Sequence, residues 1–182
     1  MGVASYVNDD VLGHILFSLT ELNRLACIVS LTTGLRIDDV LSLRREQVEK
    51  GRFTVKEKKT GKSRRISIGE KLREQLLSVS GKNYVFEHRY DPTRHRTRQA
   101  VYNDLQRVSR FYRLPAVLQV SPHSMRKVYA VRTYRRTCSV SQVQRLLSHD
   151  SEAVTMLYAM ADLLTAQRVK GNKKAVQCCT DT

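Results

Sequence analysis

Six side chains in this sequence, Arg36, Lys59, His123, Arg126, His149 and Tyr158, are of types that could act together on one phosphate. A phenol attacking phosphorus needs stabilisation of its negative charge, a clamp on the nonbridging oxygens and an acid for the departing oxygen. Arginine suits the clamp, because its planar fork stays charged and can meet two oxygens at once. Histidine can hydrogen-bond a further oxygen or exchange a proton near neutrality. A lysine ammonium can protonate a leaving alkoxide, which bulk water does poorly. Tyr158 closes the run LLSHDSEAVTMLY, in which His149 precedes it.

Each residue alone also has an ordinary role open to it. Arg36 follows TTGL at the expected start of a helix, where a cation meets the positive end of the dipole and costs a few tenths of a kcal/mol. A bound phosphate would offset that cost, and so would a salt bridge to Asp38 or Asp39. His123 and Arg126 are three apart in one helix, so they share a face, whether that face meets a ligand or solvent. Lys59 is crowded by Lys56, Lys58, Lys62, Arg64 and Arg65, and nothing local singles it out. His149 could cap a helix or sit in a core, and Tyr158 could pack among Val154, Met156 and Leu157.

The elements that must position these groups follow from periodicity. Apolar residues at helical spacing between Asn8 and Leu31 predict two helices, the first capped by Asn8 or Asp9. Gly34 ends the second, and Ile37, Val40 and Leu41 mark a new helix running to about Gln47. Residues 52–69 alternate β-branched and charged residues around Thr60-Gly61, which predicts a hairpin with Lys59 beside its turn. Lys71 to Leu77 reads as helix, Tyr84 to Phe86 as a short extended piece, DPTRHRTRQ as a loop, and Thr97 to Tyr112 as helix. Ser121 caps a further helix with Pro122 in its first position, Val140 to Leu147 forms a short amphipathic one, and Asp150 or Ser151 can cap a last one carrying Tyr158.

Composition narrows the class. At 182 residues the chain fits one domain, read as residues 1–165, followed by a polar tail over 166–182 that is expected to be mobile or to dock on a neighbouring subunit. Lys+Arg 32 against Asp+Glu 17 gives a net charge of +15, which favours a polyanionic partner, nucleic acid first, over a free-floating metabolic enzyme. The cysteines, Cys27, Cys138, Cys178 and Cys179, form no CxxC pair, so neither a disulfide framework nor a zinc site is suggested, and a reducing, cytosolic setting fits. Apolar runs fall short of a membrane span.

Together, TTGLRIDDVLSLRREQV, KKTGK, HSMR and LLSHDSEAVTMLY resemble the four boxes of the tyrosine recombinase (phage integrase) family, in its order and with similar gaps. The resemblance implies an α+β, mainly helical catalytic domain with a small antiparallel hairpin. It implies that Arg36 and Arg126 clamp the phosphate, that Lys59 protonates the leaving 5′-oxygen, that His123 and His149 hydrogen-bond the phosphorane, and that Tyr158 is the nucleophile. Asp39 matches an acidic position supporting the first arginine. Lys127 stands where the family often has a second histidine, and Ser148 replaces a glycine.

The implied reaction cleaves and rejoins duplex DNA through a 3′-phosphotyrosyl link, retaining bond energy so that neither ATP nor a metal is required. Lys56, Lys58, Lys62, Arg64, Arg94, Arg96 and Arg98 are expected to meet the DNA backbone, with affinity that falls steeply with salt. The family implies a DNA-associated protein of bacterial, phage or mobile-element origin, assembled as a homotetramer that exchanges C-terminal segments. It also implies a separate N-terminal core-binding domain, for which this chain has no room. A type IB topoisomerase and a non-catalytic DNA-binding accessory protein are the alternatives.

Overall fold

The computed structural model describes residues 9–114 and 120–147. His149, Tyr158, the helix expected to carry that tyrosine, the tail and Cys178 and Cys179 lie outside them. Among the described residues, twelve elements follow in the order α1 (Asp9–Ser18), α2 (Glu21–Thr33), α3 (Ile37–Leu41), α4 (Arg45–Glu49), β1 (Arg52–Lys56), β2 (Ser63–Ser67), α5 (Glu70–Val79), β3 (Glu87–His88), β4 (Asp91–His95), α6 (Arg98–Phe111), α7 (Pro122–Thr137) and α8 (Val140–Leu147). Helices dominate, with two small antiparallel sheets, as the α+β reading expects. No helix among the described residues is long and apolar enough to cross a membrane.

Helix α2 is central. Its buried face, including Leu25, Ala26, Val29 and Leu31, joins one core with Leu12 and Ile15 of α1, Val40 and Leu41 of α3, Phe53 and Val55 of β1, Leu76 of α5, Val101 and Leu105 of α6, and Met125 and Val128 of α7. Each of the larger of these side chains removed from water contributes about 1.5–3 kcal/mol before entropy is charged against it. Cys27 belongs to this core, and burial, aided by the charge of Asp104, pushes its thiol up to about 12. A smaller cluster, Ala130 with Val143 and Leu147, seats α8 on α7.

Gly34 ends α2 in the left-handed conformation, at φ 69°, and its N–H returns to the Ser30 carbonyl. A Cβ there would run into the ring of Tyr129 on α7, so glycine is required both by conformation and by the close approach of the two helices. The helix expected to run on to Gln47 is broken in two. Arg44 is extended and bridges Tyr84, and Val85 donates to the Leu43 carbonyl, so the chain leaves helix to pair with the extended piece read at Tyr84 to Phe86. Gln47 then restarts the helix by accepting the Arg44 N–H at 2.9 Å.

The hairpin forms as its alternation predicts, with Phe53 opposite Ile66 and Val55 opposite Arg64. Phe53, Val55 and Ile66 turn inward while Lys56 faces out. The DPTRH stretch, expected to be loop, is strand β4, paired with β3 through an irregular register. It carries no apolar alternation, so pairing with the backbone of its partner, not burial, makes it a strand. Helix α7 starts as read, with Pro122 in the first turn and the Ser124 hydroxyl accepting the Ser121 N–H.

Candidate active site

Arg36, Lys59, His123 and Arg126 line one cavity of about 320 Å³, together with Ile37, Asp38, Asp39, Lys58, Arg98 and Pro122. They come from the α2–α3 junction, the β1–β2 turn and the first turns of α7. A space of this size is at the lower end for a small-molecule site and ample for one phosphodiester.

Arg36 sits at the N-cap of α3, where its cation needs a compensating anion, and it finds one. Among the described residues that anion is Glu57, outside the local sequence in which Asp38 and Asp39 offered the alternative salt bridge: Arg36 Nη1 donates to Glu57 Oε2 at 2.9 Å. Glu57 is wholly buried and also accepts from the Thr60 hydroxyl at 3.0 Å and from Arg64 Nη1 at 3.1 Å. Burial works to raise its carboxyl, but the hydrogen bonds from Arg64 and Thr60 and the charges of Arg64 and Arg126 outweigh burial and hold it below its ordinary value. Glu57 therefore stays ionised beneath the site.

Asp39, expected to support Arg36, supports the hairpin directly. Its Oδ1 accepts the Lys58 N–H at 3.0 Å, fastening the turn that carries Lys59 to α3. Its Oδ2 is buried without a hydrogen-bond partner among the described residues. Burial pushes this carboxyl above its ordinary value and the charge of Glu57 adds to the effect, against the Lys58 hydrogen bond and the charges of Arg36 and Lys58.

Arg126 is almost fully buried and is held by main-chain oxygens. Nη1 donates to the Gly34 carbonyl, and Nη2 to the Leu147 carbonyl at 2.6 Å. It thus links the end of α2, the start of α7 and the end of α8, immediately before Ser148 and His149 in sequence. His123 is exposed on the cavity side of the same helix. Lys127 is half-buried, and desolvation lowers its ammonium from the ordinary value.

The basic residues read as backbone contacts divide. Lys58 and Arg98 line the cavity, and Lys56, Lys62 and Arg94 are exposed on β1, the turn and β4. Lys58 Nζ lies 3.3 Å from His95 Nε2, which brings the tip of the first hairpin against the end of the second. Arg64 and Arg96 are committed inward. Arg64 Nη2 donates to the Thr33 carbonyl at 2.7 Å besides its bond to Glu57, and Arg96 Nε donates to Asn23 Oδ1 at 2.8 Å. Charge alone does not distinguish these from their exposed neighbours. Glu57 was missed altogether, although a lone acid among KEKK is the one signal that could have found it.

Over 139 residues the chain is 29% identical to the probable integrase/recombinase YoeC of Bacillus subtilis, a match covering 74% of this chain and 75% of that protein. Over 157 residues it is 28% identical to the tyrosine recombinase XerA of Pyrococcus furiosus, covering 81% of this chain and 52% of that one. Among solved structures, a lambda integrase dimer bound to a COC' core site superposes with a TM-score of 0.69 at 21% identity, over 86% of this chain and 49% of that one. XerH bound to palindromic difH does so with a TM-score of 0.67 at 20% identity, over 91% and 51%. The chain thus spans about half the length of XerA and of both solved recombinases, and at these identities the structural likeness bears on the fold. Residues 11–163, which take in all six of the residues first singled out, match the phage integrase family, and the chain belongs to it as a tyrosine recombinase catalytic domain.

Proposed function

We propose that this chain is the catalytic part of a site-specific DNA recombinase in which Tyr158 attacks a phosphodiester, forming a 3′-phosphotyrosyl link and releasing a 5′-hydroxyl. The observation that carries the reading is the convergence of Arg36, Lys59, His123 and Arg126 from three separate parts of the chain on one cavity. Arg36 and Arg126 offset the charge of the pentacoordinate phosphorane, where fixed cations in a partly dehydrated site act most strongly. His123 hydrogen-bonds a nonbridging oxygen, and Lys59 gives its proton to the departing 5′-oxygen. His149, by its place in the family's pattern, hydrogen-bonds a further oxygen and, with His123, takes up the phenolic proton that Tyr158 loses on attack. Attack by another 5′-hydroxyl on the phosphotyrosine rejoins the strand and returns the phenol.

Duplex DNA is the substrate, met by the exposed cations of the first hairpin, by Arg94 and by Arg98. Assembly into a tetramer through the segment after Thr165 accounts for how two duplexes would be handled at once.

The test is a covalent adduct. The full chain is incubated with a pool of nicked duplexes of randomised sequence, so that the cleaved end diffuses away, and the products are run on a denaturing gel. Adduct from the intact chain and none from Tyr158→Phe is the expected result, and sequencing the trapped duplexes reports the preferred site. An undiminished adduct with the phenylalanine variant would sink the assignment of the nucleophile.

A further inference from the structure

Glu57 joins the two cationic arms of the site to each other. Its side chain reaches Arg36 through Oε2, and the same oxygen accepts the hydroxyl of Thr60, next to Lys59. Its main chain closes the turn as well: the Glu57 N–H donates to the Lys62 carbonyl and the Gly61 N–H to the Glu57 carbonyl, both at 2.9 Å. Lys59 therefore lies in a loop whose two ends and whose Thr60 side chain all return to one residue. A reciprocal strap runs the other way, since Asp39 beyond Arg36 holds the main chain of Lys58. Glu57 itself is not among the residues lining the cavity, so whatever it does there it does through Arg36 and Lys59.

We propose that Glu57 is a positioning residue that sets Arg36 and Lys59 at a fixed separation, so that the clamp on the phosphate and the acid for its leaving oxygen are presented as one rigid pair. The claim rests on the recombinase reading for the identity of the ligand, and on the contacts above for the coupling. Both groups must be placed against the same phosphate, one on a nonbridging oxygen and one on the bridging 5′-oxygen. A displacement of either by about 1 Å can cost about 100-fold in rate. Long lysine and arginine side chains do not hold such positions unaided, because each has several freely populated rotamers. The buried Glu57 carboxylate fixes the Arg36 guanidinium directly and, through Thr60 and the closed turn, the backbone from which Lys59 projects.

The test compares the full chain with E57Q, which keeps the shape and removes the charge, and with E57D, which keeps the charge. On duplexes that the unaltered chain cleaves, E57Q should form adduct about 100-fold more slowly at unchanged DNA affinity, with E57D closer to the unaltered chain. Duplexes carrying sulfur in place of the 5′-bridging oxygen release a thiolate that needs no proton donor, and on these E57Q should recover about tenfold or more. A rate per folded molecule equal to the unaltered chain, loss of binding in step with cleavage, or no recovery with sulfur would each overturn the proposal. Nitrogen-15 spectra of the arginine side chains without DNA supply a readout independent of activity. The Arg36 Nε–H signal should shift and broaden in E57Q and return toward its original position in E57D. If the unaltered chain forms no adduct, the recombinase reading fails while this comparison still decides the coupling, and an Arg36 signal unmoved in E57Q overturns it.

Discussion

Asp104 and Glu57 are both buried carboxylates that collect donors from distant parts of the chain, yet only one of them stands under a site. Asp104, on α6, accepts the Thr20 N–H and hydroxyl at 3.0 and 2.8 Å and Asn23 Nδ2 at 2.7 Å through one oxygen, and Arg107 through the other. The cluster extends from Arg96 through Asn23 to Arg107, which also reaches the Ser18 carbonyl. It caps α2 from outside and pins the α1–α2 junction to α6, and none of its members lines the cavity. Glu57 instead holds Arg36, which does line it. A satisfied buried carboxylate is therefore a common structural fastening. What separates a site from a fastening is whether the partners have a second face open to a ligand.

The contrast is sharpest in the cost of removing each carboxylate. Glu57→Ala leaves Arg36 and Arg64, both nearly buried, without their common counter-charge, and the expected loss is about 3–5 kcal/mol in urea unfolding at neutral pH. Asp104→Ala should cost less, about 1–3 kcal/mol, because Arg107 can turn to solvent and only the Thr20 and Asn23 donors are stranded. Adduct formation per folded molecule should be unchanged in the Asp104 variant. Equal losses of stability, or a loss of cleavage with Asp104→Ala, would break the distinction drawn between the two.

Gly34→Ala comes next. It forces a Cβ into a left-handed position and against the Tyr129 ring, and should cost more than about 1 kcal/mol while disturbing the carbonyl that receives Arg126. Arg126 Nη and Nε signals moving together with the drop in melting temperature would report that link. A melting temperature equal to that of the unaltered chain would mean that α2 and α7 can separate freely at this point.

Acid titration separates the carboxylates by sign. Glu57 and Asp104 are both held below their ordinary values, Glu57 by its Arg64 and Thr60 bonds and Asp104 by those from Asn23 and Thr20, in each case against burial. Each therefore contributes stability that is present above the ordinary carboxylate range, near pH 4, and is lost as pH falls through the lowered folded value. Asp39 has the opposite sign. Its raised value means that its contribution is present below that range and is lost as pH rises through the folded value, so its ionised form is a burden at neutrality. Asp39→Asn, which can still accept from Lys58, should give the smallest effect, a gain below about 1 kcal/mol at pH 7 that vanishes in acid. A loss of stability at pH 7 would show that the buried charge is itself needed.

Much of this arrangement was legible in the sequence because periodicity and glycine chemistry are local. The breaks at Gly34, the hairpin about Thr60-Gly61, the cap at Ser121 and the bounds of α8 all follow from residues within a few positions of the feature. The α3–α4 break did not, since its cause is pairing between Arg44 and Tyr84, forty residues apart. Strand β4 was hidden because its residues are polar on both faces. At the site, residue types and order indicated Arg36, Lys59, His123 and Arg126, and the structure brings them to one cavity. The partners of those residues were not legible. Arg64 and Arg96 read the same as solvent-facing cations, and Glu57 reads as one more charge in a charged hairpin, until the fold shows which way each points.

The anchorage of Arg126 has a consequence for how such chains can diverge. Its guanidinium is gripped by carbonyls of the backbone, those of Gly34 and Leu147, and a carbonyl offers the same oxygen whatever side chain belongs to its residue. Position 147 can therefore vary in identity, as far as this contact is concerned, provided the path of the chain is kept. Arg36 and Glu57 are bound side chain to side chain, so a change in one calls for a change in the other. Aligned sequences of close relatives that keep Arg36 should accordingly keep an acid at position 57, whereas position 147 should vary freely while Arg126 is kept.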